Sequence, residues 1–205
     1  MSESPSIRPV PNLAERARRR FLLRVTAAVG GVYTAAAAWP FLASLAPSAR
    51  ARAEGAPVEA DLAGIAPGEL QVVAWRGKPV WVLRRTPEML AALAGHDAEL
   101  ADPNSDQTSQ QPAYCRNATR AIQPEWFVCI GICTHLGCSP TLVPREASGS
   151  LGPWPGGFLC PCHGSKFDLA GRVFRNVPAP TNLEIPPYRY LTPTRLRIGE
   201  ESGSA

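Results

Sequence analysis

Two short stretches concentrate the residues able to bind a transition metal. Cys133-Thr134-His135-Leu136-Gly137-Cys138 and Cys160-Pro161-Cys162-His163-Gly164-Ser165 hold four of the six cysteines and two of the three histidines. Cys133-x-His135 and Cys160-x-x-His163 offer two thiolates and two imidazoles from two loops, soft and borderline ligands that suit zinc or an iron–sulfur centre. Zinc-finger histidine pairs are spaced more widely, and a finger has no need of the extra Cys138 and Cys162. Those two cysteines read as occupying matching places, one per loop. If the loops face each other across a metal, they can meet as a disulfide, a bond that only an oxidising compartment sustains.

The segments around the boxes must hold them in place. Trp126 to Ile132 is an apolar strand running into the first box, and Phe158-Leu159 is a brief strand running into the second. Residues 139–157, rich in Pro and Gly, read as a long loop between them. Upstream, Gln71–Trp75 and Pro79–Leu83 flank Arg76-Gly77-Lys78 and predict a β-hairpin. Thr86 to Leu93 predicts a short helix, capped by Thr86 with Pro87 at its first position. Ala101 to Ala113 is polar and loop-like. Residues 172–174, 183–185 and 195–198 predict further short strands. Short strands with frequent turns indicate a mostly antiparallel β domain. Trp75, Trp81 and Trp126 fall at strand positions and are expected in the core. Cys129 is expected as a buried thiol, with a bond to Cys115 as the alternative. His96, in a Gly-His-Asp turn, is expected at the surface.

The net charge of +4 is unevenly placed, with Arg16, Arg18, Arg19, Arg20 and Arg24 crowding the N-terminus. No aromatic–basic interleaving follows, so nucleic acid is not expected as a partner. From Val25 to Ala49 there is instead no charge. About 25 helical residues span roughly 37 Å, enough for a hydrocarbon core of about 30 Å. The basic flank keeps the N-terminus cytoplasmic and sends the rest across the membrane, into the compartment a disulfide requires. Arg18-Arg19-x-Phe21-Leu22 resembles a twin-arginine export signal, a route for proteins folded before export. Ala51-Arg52-Ala53 has the form of a cleavage site. The expected layout is a cytoplasmic tail over 1–20, a membrane anchor over 21–46, a flexible hinge over 47–57, and a β domain over 58–205 with metal-binding loops at about 127–168.

The paired boxes resemble those of the Rieske iron–sulfur proteins. The wider pattern of basic anchor, small-residue hinge, hairpins, both boxes and Pro178-Ala179-Pro180 is similar to the Rieske subunit of bacterial ubiquinol–cytochrome c reductase, the cytochrome bc complex. The resemblance implies a Rieske-type antiparallel β domain with a small cluster-binding subdomain. It implies one 2Fe–2S cluster, with Cys133 and Cys160 on one iron and His135 and His163 on the other. It implies a Cys138–Cys162 disulfide, Leu136 as a shield against solvent, and Ser165 as a hydroxyl donor to a cluster sulfide. Neutral imidazoles in place of two thiolates raise the potential above that of an all-cysteine ferredoxin.

The implied activity is that of an electron-transfer subunit of an oxidoreductase and translocase. It oxidises ubiquinol, with the electron going to the cluster and the proton to a ligand histidine, His163 touching the quinol. The electron then passes to a membrane-bound c-type cytochrome. The implied partners are that cytochrome, a cytochrome b subunit and the bacterial inner membrane, in a dimeric complex with the cluster domain on the periplasmic side. A Rieske small subunit of another periplasmic oxidoreductase, such as arsenite oxidase, is the alternative. A soluble Rieske ferredoxin fits less well, lacking the anchor and usually the second cysteine pair. Two positions depart from the family pattern. Phe167 stands where many respiratory members have a tyrosine whose hydroxyl bonds a ligand cysteine, so a lower potential is expected. Val177 stands where a glycine often precedes Pro-Ala-Pro.

Overall fold

The computed structural model describes residues 13–46, 48, 55–147 and 154–200. The chain divides into two units, residues 1–51 and 52–205. In the first, α1 (Leu13–Ser44) is one continuous helix of 32 residues with Pro40 inside it, and none of its residues is buried. It is long and apolar enough to cross a membrane. It begins at Leu13, within the segment expected as a tail, so Arg18 and Arg19 are helical. Of the expected 47–57 hinge, Pro47 and residues 49–54 lie outside the described residues, as does Ala51-Arg52-Ala53.

In the second unit three antiparallel sheets of three strands each account for the described β-structure. The first has the order β1 (Val58–Asp61), β9 (Arg195–Ile198), β8 (Tyr188–Thr192), so the start and end of the unit pair with each other. The second runs β2 (Leu70–Trp75), β3 (Lys78–Arg84), β4 (Trp126–Ile130). The expected hairpin is β2–β3, with Arg76 and Gly77 both at positive φ (51° and 69°), the two-residue turn that matches strand twist. Trp75, Trp81 and Trp126 are all buried. Helix α2 (Pro87–Ala91) starts as expected, with Thr86 Oγ1 accepting the Met89 N–H.

The third sheet carries the boxes: β5 (Thr141–Val143), β6 (Gly157–Leu159) and β7 (Lys166–Phe167). β5 lies in the stretch expected to be a long loop. The 172–174 and 183–185 strands are not formed as strands: Val173 and Phe174 make isolated bridges to Phe167 and Leu100, and Glu184 O accepts the Ile130 N–H. These segments are too short to propagate a ladder, and side chains satisfy part of their backbone instead, as where Asn182 Oδ1 takes the Val173 N–H.

Phe158 joins the third sheet to the second. Its ring centroid lies 5.3 Å from Trp81 and 5.9 Å from Phe127, pairs that contribute about 0.5–1.5 kcal/mol each beyond their burial. Buried cations tie down the loops behind. Arg120 donates to the carbonyls of Ala170, Gly171 and Leu183 and to Gln111 Oε1; Arg85 donates to those of Pro124, Thr119 and Leu169. Burial pushes both guanidinium pKa values down to about 10, which leaves them cationic at neutral pH.

His96 is a correction. It is 7 % exposed, stacked on Phe174, with Nε2 3.4 Å from Asp168 Oδ2. Asp168 in turn takes Arg172 Nε at 2.7 Å, and Arg172 reaches Asp97 and the Leu93 carbonyl. A turn that reads as surface was folded over a buried carboxylate 72 residues away. Cys115 and Cys129 are both free and buried, so no disulfide joins them. Burial pushes the Cys129 thiol up to about 12, which keeps it protonated.

Candidate metal centre

Box 1 leaves β4 and enters β5; box 2 closes the β6–β7 hairpin. The β5–β6 register, Thr141 opposite Leu159, sets the end of one box beside the start of the other. On leaving β4 the chain is pinned on both sides, by Ile130 N–H to Glu184 O and Gly131 N–H to Pro79 O, both 2.8 Å.

The two boxes share one backbone closure. Cys133 N–H bonds Cys138 O at 2.7 Å and Gly137 N–H bonds Cys133 O at 3.1 Å; Cys160 N–H bonds Ser165 O at 2.8 Å and Gly164 N–H bonds Cys160 O at 2.9 Å. Gly137 and Gly164 therefore occupy equivalent positions, with φ of +83° and +72°, a conformation costly to any residue with a Cβ. This register corrects one expectation. Cys138 is equivalent to Ser165, so Cys138 and Cys162 do not sit at matching places. They are nevertheless joined as a disulfide across the two loops, with Cα atoms 6.7 Å apart.

The four remaining donors split by depth. Cys133 and Cys160 are free thiols, each 2 % exposed. His135 is half-buried and His163 exposed, with ring centroids 4.9 Å apart at 83°. The Cys160 sulfur lies within 4.8 Å of both disulfide sulfurs, which are spent as ligands by their own bond. Burial pushes the Cys133 thiol up, and the adjacent Cys160 sulfur adds to this. The His135 backbone N–H and the Ser165 hydroxyl oppose it. Two inward thiols and two outward imidazoles form a donor set that fits a 2Fe–2S cluster of the two-cysteine, two-histidine kind.

Leu136 stands exposed (73 %) at the tip of box 1, next to His135 in sequence. Phe167 is fully buried. The proline segment reaches both boxes: Ala179 N–H bonds Ser165 Oγ at 3.0 Å, and Thr134 Oγ1 donates to Thr181 O at 2.7 Å. Sequence reasoning had named neither contact. Thr134, a hydroxyl between two candidate ligands, was the available signal for one; a backbone amide leaves no signal for the other.

Residues 58–188 match the family model of the Rieske [2Fe–2S] domain. Residues 12–48 match that described as "Ubiquitinol-cytochrome C reductase Fe-S subunit TAT signal". The ubiquinol–cytochrome c reductase iron–sulfur subunit of Allochromatium vinosum is 61 % identical, over 92 % of this chain and 91 % of its own. This chain belongs to the Rieske iron–sulfur subunits of ubiquinol–cytochrome c reductase. Those of Blastochloris viridis and Rhodospirillum rubrum are each 42 % identical, over 91 % and 97 % of this chain and 94 % and 100 % of theirs. As a Rieske protein it carries a 2Fe–2S cluster, and the arsenite-oxidase alternative is not favoured. Its apolar helix and export-signal match fit a membrane-anchored subunit.

Proposed function

We propose that this chain takes electrons from ubiquinol within a cytochrome bc complex through the surface formed by His163, His135 and Leu136. The observation that carries the reading is the split by depth: both free thiols buried, both imidazoles toward solvent, His163 the more exposed. Cys133 and Cys160 would hold one iron, and His135 and His163 the other. A bound cluster would supply one-electron redox chemistry between quinol and a c-type cytochrome, at a potential raised by the neutral imidazoles.

The residues supply what surrounds that transfer. His163 presents its free ring nitrogen to the quinol hydroxyl, orients it and takes its proton. Leu136, projecting beside the ligands, enters the partner surface and excludes water from the contact. The Cys138–Cys162 bond keeps the loops together when the site opens to a partner. Arg18, Arg19 and their neighbours stay on the cytoplasmic side of α1, and the β domain lies on the periplasmic side of the inner membrane. The partners are a cytochrome b subunit, a membrane-bound c-type cytochrome and a second copy of the complex. Proline substitutions within residues 47–57 are expected to slow turnover with the cluster spectrum intact.

The test is an EPR-monitored redox titration of membranes, with and without an inhibitor of quinol oxidation. A Rieske signal titrating at roughly 0 to +300 mV, displaced by the inhibitor, supports the reading. A signal near −150 mV that ignores the inhibitor refutes it.

A further inference from the structure

Ser165 is fully buried between the cluster loops and the proline segment. Its hydroxyl has one proton and two acceptor positions. One acceptor position is filled by the Ala179 N–H at 3.0 Å. That bond leaves the hydroxyl proton for another acceptor, the role in which the Rieske resemblance implies a cluster sulfide. Pro178 and Pro180 have no N–H, so Ala179 carries the one amide donor of the Pro-Ala-Pro run, and the two rings restrict its backbone on either side.

The segment is also prevented from drifting. Thr134 of box 1 donates its hydroxyl to Thr181 O. Asn182 Nδ2 donates to Asp102 O at 3.0 Å, and Leu183 N–H bonds Gly171 O at 2.8 Å. Ala179 itself is 4 % exposed. The amide therefore meets Ser165 in one geometry, away from competing water.

We propose that the Ala179 backbone amide is a positioning group for electron transfer: by donating to Ser165 it fixes and polarises the hydroxyl that donates to the cluster's sulfur, and so raises the potential. Sulfur gains negative charge on reduction, so a donor aimed at it favours the reduced form. A hydroxyl that accepts a hydrogen bond donates more strongly, by about 10–30 % per bond. The inference rests on the ligand assignment under Proposed function.

The test uses the assembled complex in membranes and reads the Rieske midpoint potential by EPR titration. Ser165→Ala lowers it. Ala179→Pro, which removes the amide donor and puts a ring carbon in place of its hydrogen, lowers it by a part of that shift. The two together go no lower than Ser165→Ala alone, because Ala179 acts through Ser165. Ala179→Gly, which keeps the N–H, retains the parent value.

An Ala179→Pro shift of equal size with and without Ser165 overturns the proposal, as does a parent potential in Ala179→Pro, or an equal drop in Ala179→Gly. If Ala179→Pro fails to assemble, replacing Ala179 with L-lactate turns the amide into an ester of the same shape, and the same outcomes decide. No Rieske signal in the parent refutes the ligand assignment; a parent signal with additive shifts refutes only the role of Ala179.

Discussion

Replacing Cys138 and Cys162 together by alanine removes the one covalent link between the two cluster loops. The bond closes a loop with a sequence separation of 24. Loop-closure entropy for that length is about 11.6 cal/mol/K, or about 3.5 kcal/mol at 25 °C. Lost side-chain burial adds little, since Cys162 is exposed and Cys138 only half-buried. The full chain, purified in detergent and stripped of metal, isolates this effect from cluster binding. With a slope of about 2 kcal/mol per molar urea, the unfolding midpoint followed by tryptophan fluorescence falls by roughly 1.5–2 M. The unsubstituted protein with its disulfide reduced falls to the same midpoint. If the oxidised parent and the double variant unfold together, the bond contributes nothing through chain entropy and the reasoning is wrong.

Gly131→Ala places a Cβ 2.2 Å from Trp81 Cε2, two residues before Cys133; overpacking of this kind costs about 1–3 kcal/mol. A lower thermal midpoint and reduced cluster content are expected, and an unchanged midpoint would show that Trp81 yields freely. The Asp168 hydrogen bond holds the His96 pKa above its ordinary value against the opposing effect of burial. That contribution is complete below about pH 6.5 and is lost as pH rises through the raised value. His96→Gln should flatten the fall in stability above about pH 6.5, and a pH profile parallel to the parent's would contradict this. Phe167→Tyr supplies the hydroxyl that many respiratory relatives carry, and the Rieske midpoint potential is expected to rise; no rise would mean that the new hydroxyl does not reach a sulfur.

The parts of this protein readable from its sequence are those encoded by neighbours. The Arg76-Gly77 turn, the Thr86 cap, the uncharged run after Arg24 and the two ligand boxes depend on residues a few positions apart, where propensity and spacing act directly. The disulfide partners followed from the family resemblance once the boxes were recognised.

What the tertiary structure decided depends on which distant segments meet. His96 reads as a surface turn until Asp168, 72 positions on, is brought beneath it. Arg85 reaches Leu169 across 84 positions, and Arg172 reaches Leu93 across 79. These buried groups carry no local periodicity, because carboxylates and backbone carbonyls elsewhere satisfy them. The equivalence of Cys138 with Ser165 follows the shared Cys-x-x-x-Gly spacing of the boxes and is fixed by their common backbone closure. The Ala179 amide is the limiting case. A main-chain N–H has no letter in the sequence, so its bond to Ser165 becomes visible only when the proline segment is folded over the cluster loops.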